Sequence, residues 1–292
     1  MRYRLRHTTR YDYGTPVDLA AHMVHLRPRP VPGQRILSDR VLADPPPARR
    51  RDGVDHFGNR VTWLFIDLSH ETFELTSESI VDVAFAPPPP AADTMPWEQV
   101  AEAAHGPEGW HASEFCFDSP MAPANDDARA YAAHSFTPNR PILEALVELN
   151  TRIKADFAYR SGSTSISTPV AEVMQRRIGV CQDFSHVMIS ALRGLGLPAR
   201  YVSGYIRTRP PPGQTRRIGS DQSHAWVGCW LGPHDGWVDL DPTNALVVRN
   251  EHVVLGWGRD FGDVSPIRGV ILGGGRHDLS VSVDLEPDEA EA

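Results

Sequence analysis

Cysteine is scarce in this chain. Cys116, Cys181 and Cys229 are the only three in 292 residues, too few and too scattered for a disulfide framework, and none stands at the C-x-x-C spacing of a zinc site. Each therefore needs its own explanation. Lysine is scarcer still: Lys154 stands alone in a chain rich in Arg, Ala, Pro and Gly, a bias that points to a GC-rich genome and carries no message about mechanism. Long apolar runs are missing as well. No segment approaches the roughly 18 uninterrupted apolar residues of a membrane helix. The opening Met1-Arg2-Tyr3-Arg4-Leu5-Arg6 is followed by no apolar stretch of the signal-peptide kind. The expected address is the cytoplasm, with no membrane partner. Positive charge is not in excess either, and a net charge of -8 gives no basic footprint for a phosphate backbone, which excludes nucleic acid as an expected partner.

What is present is an ordinary globular composition, 41% hydrophobic and 23% charged, enough for one large domain or two smaller ones. The first segment alternates, with Tyr3, Leu5, His7, Thr9 and Tyr11 on one face and Arg2, Arg4, Arg6 and Arg10 on the other, the signature of a half-buried strand. Further strands are expected near Arg35 to Leu42, Arg60 to Leu68 and Glu71 to Val83. In the second of these Val61, Trp63 and Phe65 alternate with polar or smaller neighbours, after a turn at Asp55 to Asn59. Residues 1–86 thus read as a β-rich domain. The run Pro87 to Pro90 cannot donate to a sheet ladder and favours an extended conformation, so 87–97 reads as a linker. The main domain is expected over 98–292, with its motif core at 140–247 and a tail at 248–292 in which Asp278 to Leu285 alternates like an edge strand.

Beyond the linker the period changes. Ile142, Leu146, Leu149 and Ile153 form one helical face, with Asn139 as a cap ahead of Pro141 and an end near Ala155. A shorter helix is expected to have Thr168 as N-cap, Pro169 at its first position, Val170, Val173 and Met174 on the buried side, and Gly179 at its exit. From Cys181 to about Leu195, Phe184, Val187, Met188, Ala191, Leu192 and Leu195 recur at helical spacing until Gly194, Gly196 and Pro198 stop the pattern. Strands follow at Arg200 to Arg207, Ser223 to Leu231 and Gly236 to Asp241. A helix followed by such strands suits an α+β core with an antiparallel sheet.

The chemistry-bearing residues fall on these elements. A thiolate is stabilised at a helix N-terminus by the macrodipole and by free backbone N–H groups, and Cys181 occupies that position. The same amides can hold the oxyanion that forms when sulfur attacks an acyl carbon. Cys116, between aromatics, and Cys229, alternating with Val227 and Leu231, read as structural. A thiol nucleophile needs a base, and His224 opens a strand and shares its face with Trp226 and Trp230. A third group must orient the imidazole. Asp239 and Asp241 both lie on the next strand, on the same side, so alternation does not choose between them. Parity adds a condition: a four-residue loop at Gly232 to Asp235 sets Asp241 opposite Trp226, on the face of His224, whereas an odd loop without a bulge turns it away.

Four blocks in order, Gly179-Val180-Cys181-Gln182-Asp183-Phe184, Ala199 to Tyr205, Ser223-His224-Ala225-Trp226-Val227 and Gly236 to Asn244, resemble the transglutaminase-like superfamily in its bacterial branch with an N-terminal β domain. Tyr3 to Pro30 and Trp257 to Pro266 resemble that branch too, so the likeness spans nearly the whole chain. The resemblance implies a papain-like α+β core, a central Cys-bearing helix packed on an antiparallel sheet, and chemistry on amide bonds of a peptide or protein partner through a thioester. It assigns nucleophile, base and orienting acid to Cys181, His224 and Asp241, and it leaves hydrolysis and transamidation equally open. By analogy with donors elsewhere in the superfamily, Gln182 and Tyr159 are candidate oxyanion donors, and Trp226 is a candidate for the substrate wall. No cofactor is implied, and no calcium motif is carried over.

Three further readings stand beside this one. The fold could serve as a non-catalytic peptide-binding module, which retention of all three residues opposes. His22 and His25 could ligate a metal, but no acidic or cysteine partner stands nearby. The loop from Arg207 to Ser220, rich in Pro and Arg, either borders the site and selects acidic substrates or is a solvated surface loop.

Overall fold

A computed structural model describes residues 1–208 and 222–288. The loop weighed above lies, apart from its first two residues, outside the described residues. The alternation at the start of the chain extends into one long strand, β1 (Arg2–Val24), in which Tyr3, Leu5, His7 and Thr9 are buried as expected. It is followed by β2 (Gln34–Asp44), β3 (Arg49–Val54), β4 (Arg60–Ile66) and β5 (His70–Val83). These lie in the order β2-β5-β1-β4-β3, antiparallel throughout. β3 has no counterpart among the expected strands. Every residue in it is exposed, so it has no buried face to leave a period-2 signal. In β4 the core face is Leu64 and Ile66, while Trp63 turns outward beneath Arg51 at 5.8 Å. The expected turn is present, with Gly58 at φ +76° and Asp55 N–H donating to Asn59 O.

Helices α1 (Trp97–His105), α2 (Trp110–Ser113), α3 (Asp126–Ala133) and α4 (Ile142–Asp156) come next. α4 buries the four expected residues, but Asn139 does not cap it. Asn139 sits at φ +61° and Pro141 holds the cap position. Then follow β6 (Ala158–Tyr159), α5 (Val170–Arg176), β7 (Ile178–Gly179) and α6 (Cys181–Arg193). At α5 the expected cap is displaced by one residue. Pro169 is the N-cap, and Thr168 Oγ1 accepts from Ser165 N–H instead. The left-handed exit is Arg177 at φ +55°, not Gly179. The second sheet is built from β8 (Ala199–Ile206), β9 (Gln222–Trp230), β10 (Trp237–Asp241), β11 (Leu246–Val247) and β12 (His252–Gly258), in the order β11-β10-β9-β8-β12. The helices pack on this sheet around one core that includes Leu146, Leu149, Phe184, Val187, Leu192, Val227 and Leu240. Each such side chain, fully buried, contributes about 1.5–3 kcal/mol.

The tail corrects one expected boundary. After α7 (Phe261–Val264), β13 (Ile267–Gly273) and β14 (His277–Pro287) leave the main domain and pair antiparallel with β1. Val283 and Leu285 of β14 join Tyr3 and Leu5 in the core of the first sheet, so the alternation seen in the sequence belongs to that core. The same core takes in Tyr205, Val253 and Leu255 of the second sheet, and His7 bridges the two through Nδ1 to Tyr205 Oη at 2.8 Å. Among the described residues no helix is long and apolar enough to cross a membrane.

Candidate active site

α6 is buried on nearly every side, so its polar residues need partners inside the fold. Ser185 Oγ donates to Cys181 O at 2.8 Å, and the Arg193 guanidinium donates to the carbonyls of Phe115, Ala199 and Arg259. The first turn is fixed by Asp183, whose Oδ2 accepts from Val180 N–H at 2.8 Å and from Thr164 Oγ1 at 2.7 Å. This is the carboxylate half of a capping box. Burial pushes the Asp183 pKa up, against those hydrogen bonds. Gly179 makes the turn possible. A Cβ there would stand 2.8 Å from both Cβ and Oδ2 of Asp183. Gly179→Ala is therefore expected to cost about 1–3 kcal/mol in urea unfolding, and an unchanged midpoint would show that Asp183 moves aside freely.

Cys181 opens α6 half-exposed, while Cys229 is fully buried. The first-turn N–H groups of a helix have no intrahelical acceptor, so the sulfur stands beside free donors. Burial raises the Cys116 thiol to about 11 and the Cys229 thiol well above its ordinary value.

His224 enters from β9. Its register with β10 is the even one: Trp230 pairs with Trp237 and Val227 with Leu240, while Leu231 N–H donates to Gly236 O at 2.7 Å. The connection between them is thus residues 232–235, and Asp241 comes to the face of His224. Nε2 of His224 lies 2.8 Å from Asp241 Oδ2. The other ring nitrogen, Nδ1, is left clear of Asp241, and Cys181 lies close enough to the imidazole to raise its pKa. Burial alone would lower the imidazole pKa. Hydrogen bonds to Asp241 and Cys181, and their charges, outweigh it and push it up to about 10.

Asp241 is fully buried. Its Oδ1 accepts from the N–H groups of Thr243 and Asn244, and its Oδ2 from Asn244 Nδ2 at 2.7 Å as well as from His224. Burial opposes ionisation here, yet the hydrogen bonds from His224 and His252 and from Asn244 hold the carboxyl well below its usual range. Asp239 takes a different part. It accepts from Trp226 Nε1 at 3.0 Å and pairs with Arg200 at 3.7 Å. Arg200 is itself clasped between the Trp237 and Trp257 rings at 4.3 and 3.8 Å. The choice that strand alternation leaves open is made by this contact list: Asp241 touches the imidazole, and Asp239 holds the tryptophan beneath it.

The other expected residues fare differently. Tyr159, held by the β6–β7 pairing opposite Gly179, stands beside Cys181, and its phenol pKa is raised by burial and by that neighbour's charge. Gln182 donates its amide to Ile166 O at 3.1 Å, tying down the loop over residues 160–169. Trp226 is 0% exposed with its N–H committed, so it supports His224 from below and walls no cleft. It lies over Gly204, where a Cβ would come within 2.4 Å of the indole. His22 and His25 separate, His22 stacking on Phe73 and His25 reaching Asp55 and Ser265 O.

His252 was missed by sequence reasoning. It lies on β12, buried, with Nε2 3.4 Å from Asp241 Oδ2. The signal was a single histidine opening an apolar strand, in a segment read only as tail. His224, Asp241 and His252 are close enough to hold a metal ion among the described residues. Oδ2, however, already faces the Asn244 amide N–H, a donor that would oppose a cation there.

Family descriptions match along the same lines. Residues 3–82 match the bacterial transglutaminase-like N-terminal region, and residues 129–242 match the transglutaminase-like superfamily. The chain belongs to the transglutaminase-like superfamily. An uncharacterized protein of Mycobacterium tuberculosis is 44% identical over 300 residues, covering 100% of this chain and 94% of its own. A protein-glutamine gamma-glutamyltransferase of Pseudomonas aeruginosa is 38% identical over 68 residues, 23% of this chain and 10% of that protein. A crystal structure of a candidate cysteine protease from Cytophaga hutchinsonii superposes with a TM-score of 0.75 at 21% identity, covering 100% of this chain and 92% of that one. The transglutaminase-like core is thus papain-like in fold and follows a β-rich N-terminal region.

Proposed function

We propose that this protein is a thiol-dependent acyl-transfer enzyme acting on amide bonds of peptides or proteins. The observation that supports the reading is the His224 imidazole, held by Asp241 through Nε2 at 2.8 Å and lying close enough to Cys181 for the thiol to raise its pKa. In this reading Cys181, as thiolate, attacks the amide carbon. The oxyanion is held by backbone N–H groups of the first turn of α6, with the Tyr159 hydroxyl as a further donor. The His224 imidazolium gives its proton to the leaving amine, a thioester remains on Cys181, and water or a second amine delivered past His224 releases the acyl group. Three cysteines without disulfide partners are compatible with a cytoplasmic setting.

Between the two acceptors we favour water, so that the enzyme is a cysteine peptidase or amidase. The deciding measurement incubates it with a glutamine-containing peptide library, with and without a primary amine, and reads masses. Cleaved or deamidated peptides are the expected products. Amine adducts would make it a transglutaminase instead, and unaltered peptides in both arms would count against acyl transfer altogether.

A further inference from the structure

Asp241 is shared by two buried imidazoles that reach it from different strands, His224 on β9 at 2.8 Å and His252 on β12 at 3.4 Å, both on Oδ2. β8 separates these strands, and Gly204 at its middle pairs with His224 on one side and Val254 on the other. With no side chain at Gly204 the Trp226 indole lies across the strand, and both imidazoles pack against it, His252 edge-on at 5.2 Å and His224 tilted at 6.1 Å. His252 is 2% exposed, and among the described residues its Nδ1 has no hydrogen-bond partner. A neutral imidazole in that position has two choices. With the proton on Nδ1, a buried N–H would be unpaired and the Nε2 lone pair would face a carboxylate. With the proton on Nε2, the ring donates to Asp241 and leaves only an acceptor unused.

We infer that His252 is a positioning residue of the reaction, donating its Nε2–H to Asp241 so that the carboxylate is held against His224. This rests on the reading of Cys181, His224 and Asp241 as the reacting set. His224 Nε2 and Asn244 Nδ2 approach the same oxygen, and His252 adds a donor from the far side of the sheet. The carboxylate then cannot swing away from the base when His224 gives up its proton, and the imidazole keeps the orientation that presents its other nitrogen to sulfur. The 3.4 Å separation is long for a resting hydrogen bond, as catalytic contacts often are before substrate closes the site.

The test has two arms. In the first, the rate at which iodoacetamide alkylates Cys181 is followed by mass spectrometry at neutral pH in wild type, His252→Phe and His252→Gln. Loss of the donor in His252→Phe is expected to slow alkylation about tenfold, and His252→Gln, whose amide can donate from nearly the same place, is expected to restore it to within about twofold. A wild-type rate in folded His252→Phe, or no rescue by His252→Gln, overturns the proposal. The second arm needs no variant to be active. Long-range nitrogen–proton correlations of the histidine rings in the wild-type protein, with the His252 signal identified by its loss in His252→Gln, should show its proton on Nε2. A proton on Nδ1 overturns the proposal even if His252→Phe fails to fold. The two readings fail separately: if wild-type Cys181 is alkylated no faster than Cys116, the nucleophile assignment falls, while the ring tautomer still reports whether His252 serves Asp241.

Discussion

Cys181→Ala is expected to abolish labelling by a thiol-directed acyl probe and to reduce turnover by about three orders of magnitude or more, while Cys116→Ala and Cys229→Ala leave both intact. The expectation rests on where each sulfur sits. Cys181 is half-exposed at the start of α6 and lies beside His224, the base that the proposed reaction needs. Burial raises the Cys116 and Cys229 thiols, and Cys116 directs its S–H toward Gly196 O. Substitution of Cys181 leaves the helix core untouched, so the variant should unfold at close to the wild-type urea midpoint. Equal labelling of the three variants would remove the nucleophile assignment.

Asp241→Asn should lower kcat/KM by roughly two to four orders of magnitude and move the alkaline limb of its pH profile downward. In the wild type the imidazolium persists up to about 10 because hydrogen bonds and charge from Asp241 and Cys181 outweigh burial. An amide supplies no charge, and burial then favours the neutral ring. The imidazolium would no longer persist at neutral pH. Stability responds in a defined window. The folded pKa of His224 lies above its ordinary 6.5, so its pairing contributes fully below that value and is lost as pH rises through about 10. The folded pKa of Asp241 lies below its ordinary 3.8, so its contribution is present above 3.8 and lost in strong acid. The stability difference between wild type and Asp241→Asn in urea should therefore be largest between about pH 4 and 6.5. A difference that does not shrink above pH 6.5 or below pH 4 would show that the pair is not ionised in the folded protein.

The sequence carried the site better than it carried the frame around it. Cys181 and His224 stand out because each sits on an element with a strong periodic signal, whereas Asp241 is singled out from Asp239 in the sequence only by the resemblance. Which aspartate serves was not legible from alternation, since Asp239 and Asp241 share a face. Only the Trp226 indole taking Asp239 separates them. Trp226 was misjudged for a related reason. Its large apolar ring suits a cleft wall and a core equally in a one-dimensional pattern, and the open space over Gly204 that receives it comes from the neighbouring strand β8. His252 was hidden because its partner is 11 residues away in sequence but reached across β8. The expected caps lie two residues early at Pro141 and one residue early at Pro169, where proline already fixes the backbone. The helices α1 to α3 are short and partly exposed, and their apolar faces are filled by neighbours remote in sequence.

The pairing of β14 with β1 has a consequence for biogenesis. β1 lies at the start of the chain, yet the edge that accepts β14 along Tyr3 to Tyr13 stays uncovered until residues 277–287 have been made. During synthesis the N-terminal sheet therefore waits, with a long row of unpaired amides and carbonyls, while the whole transglutaminase-like core emerges and folds. Separating the chain at its proline run into an N-terminal piece and a core piece would leave that edge open on one fragment and strand β13 and β14 without a template on the other. The strands that complete the N-terminal sheet lie beyond both matched family segments and return to β1 only after the core has been made.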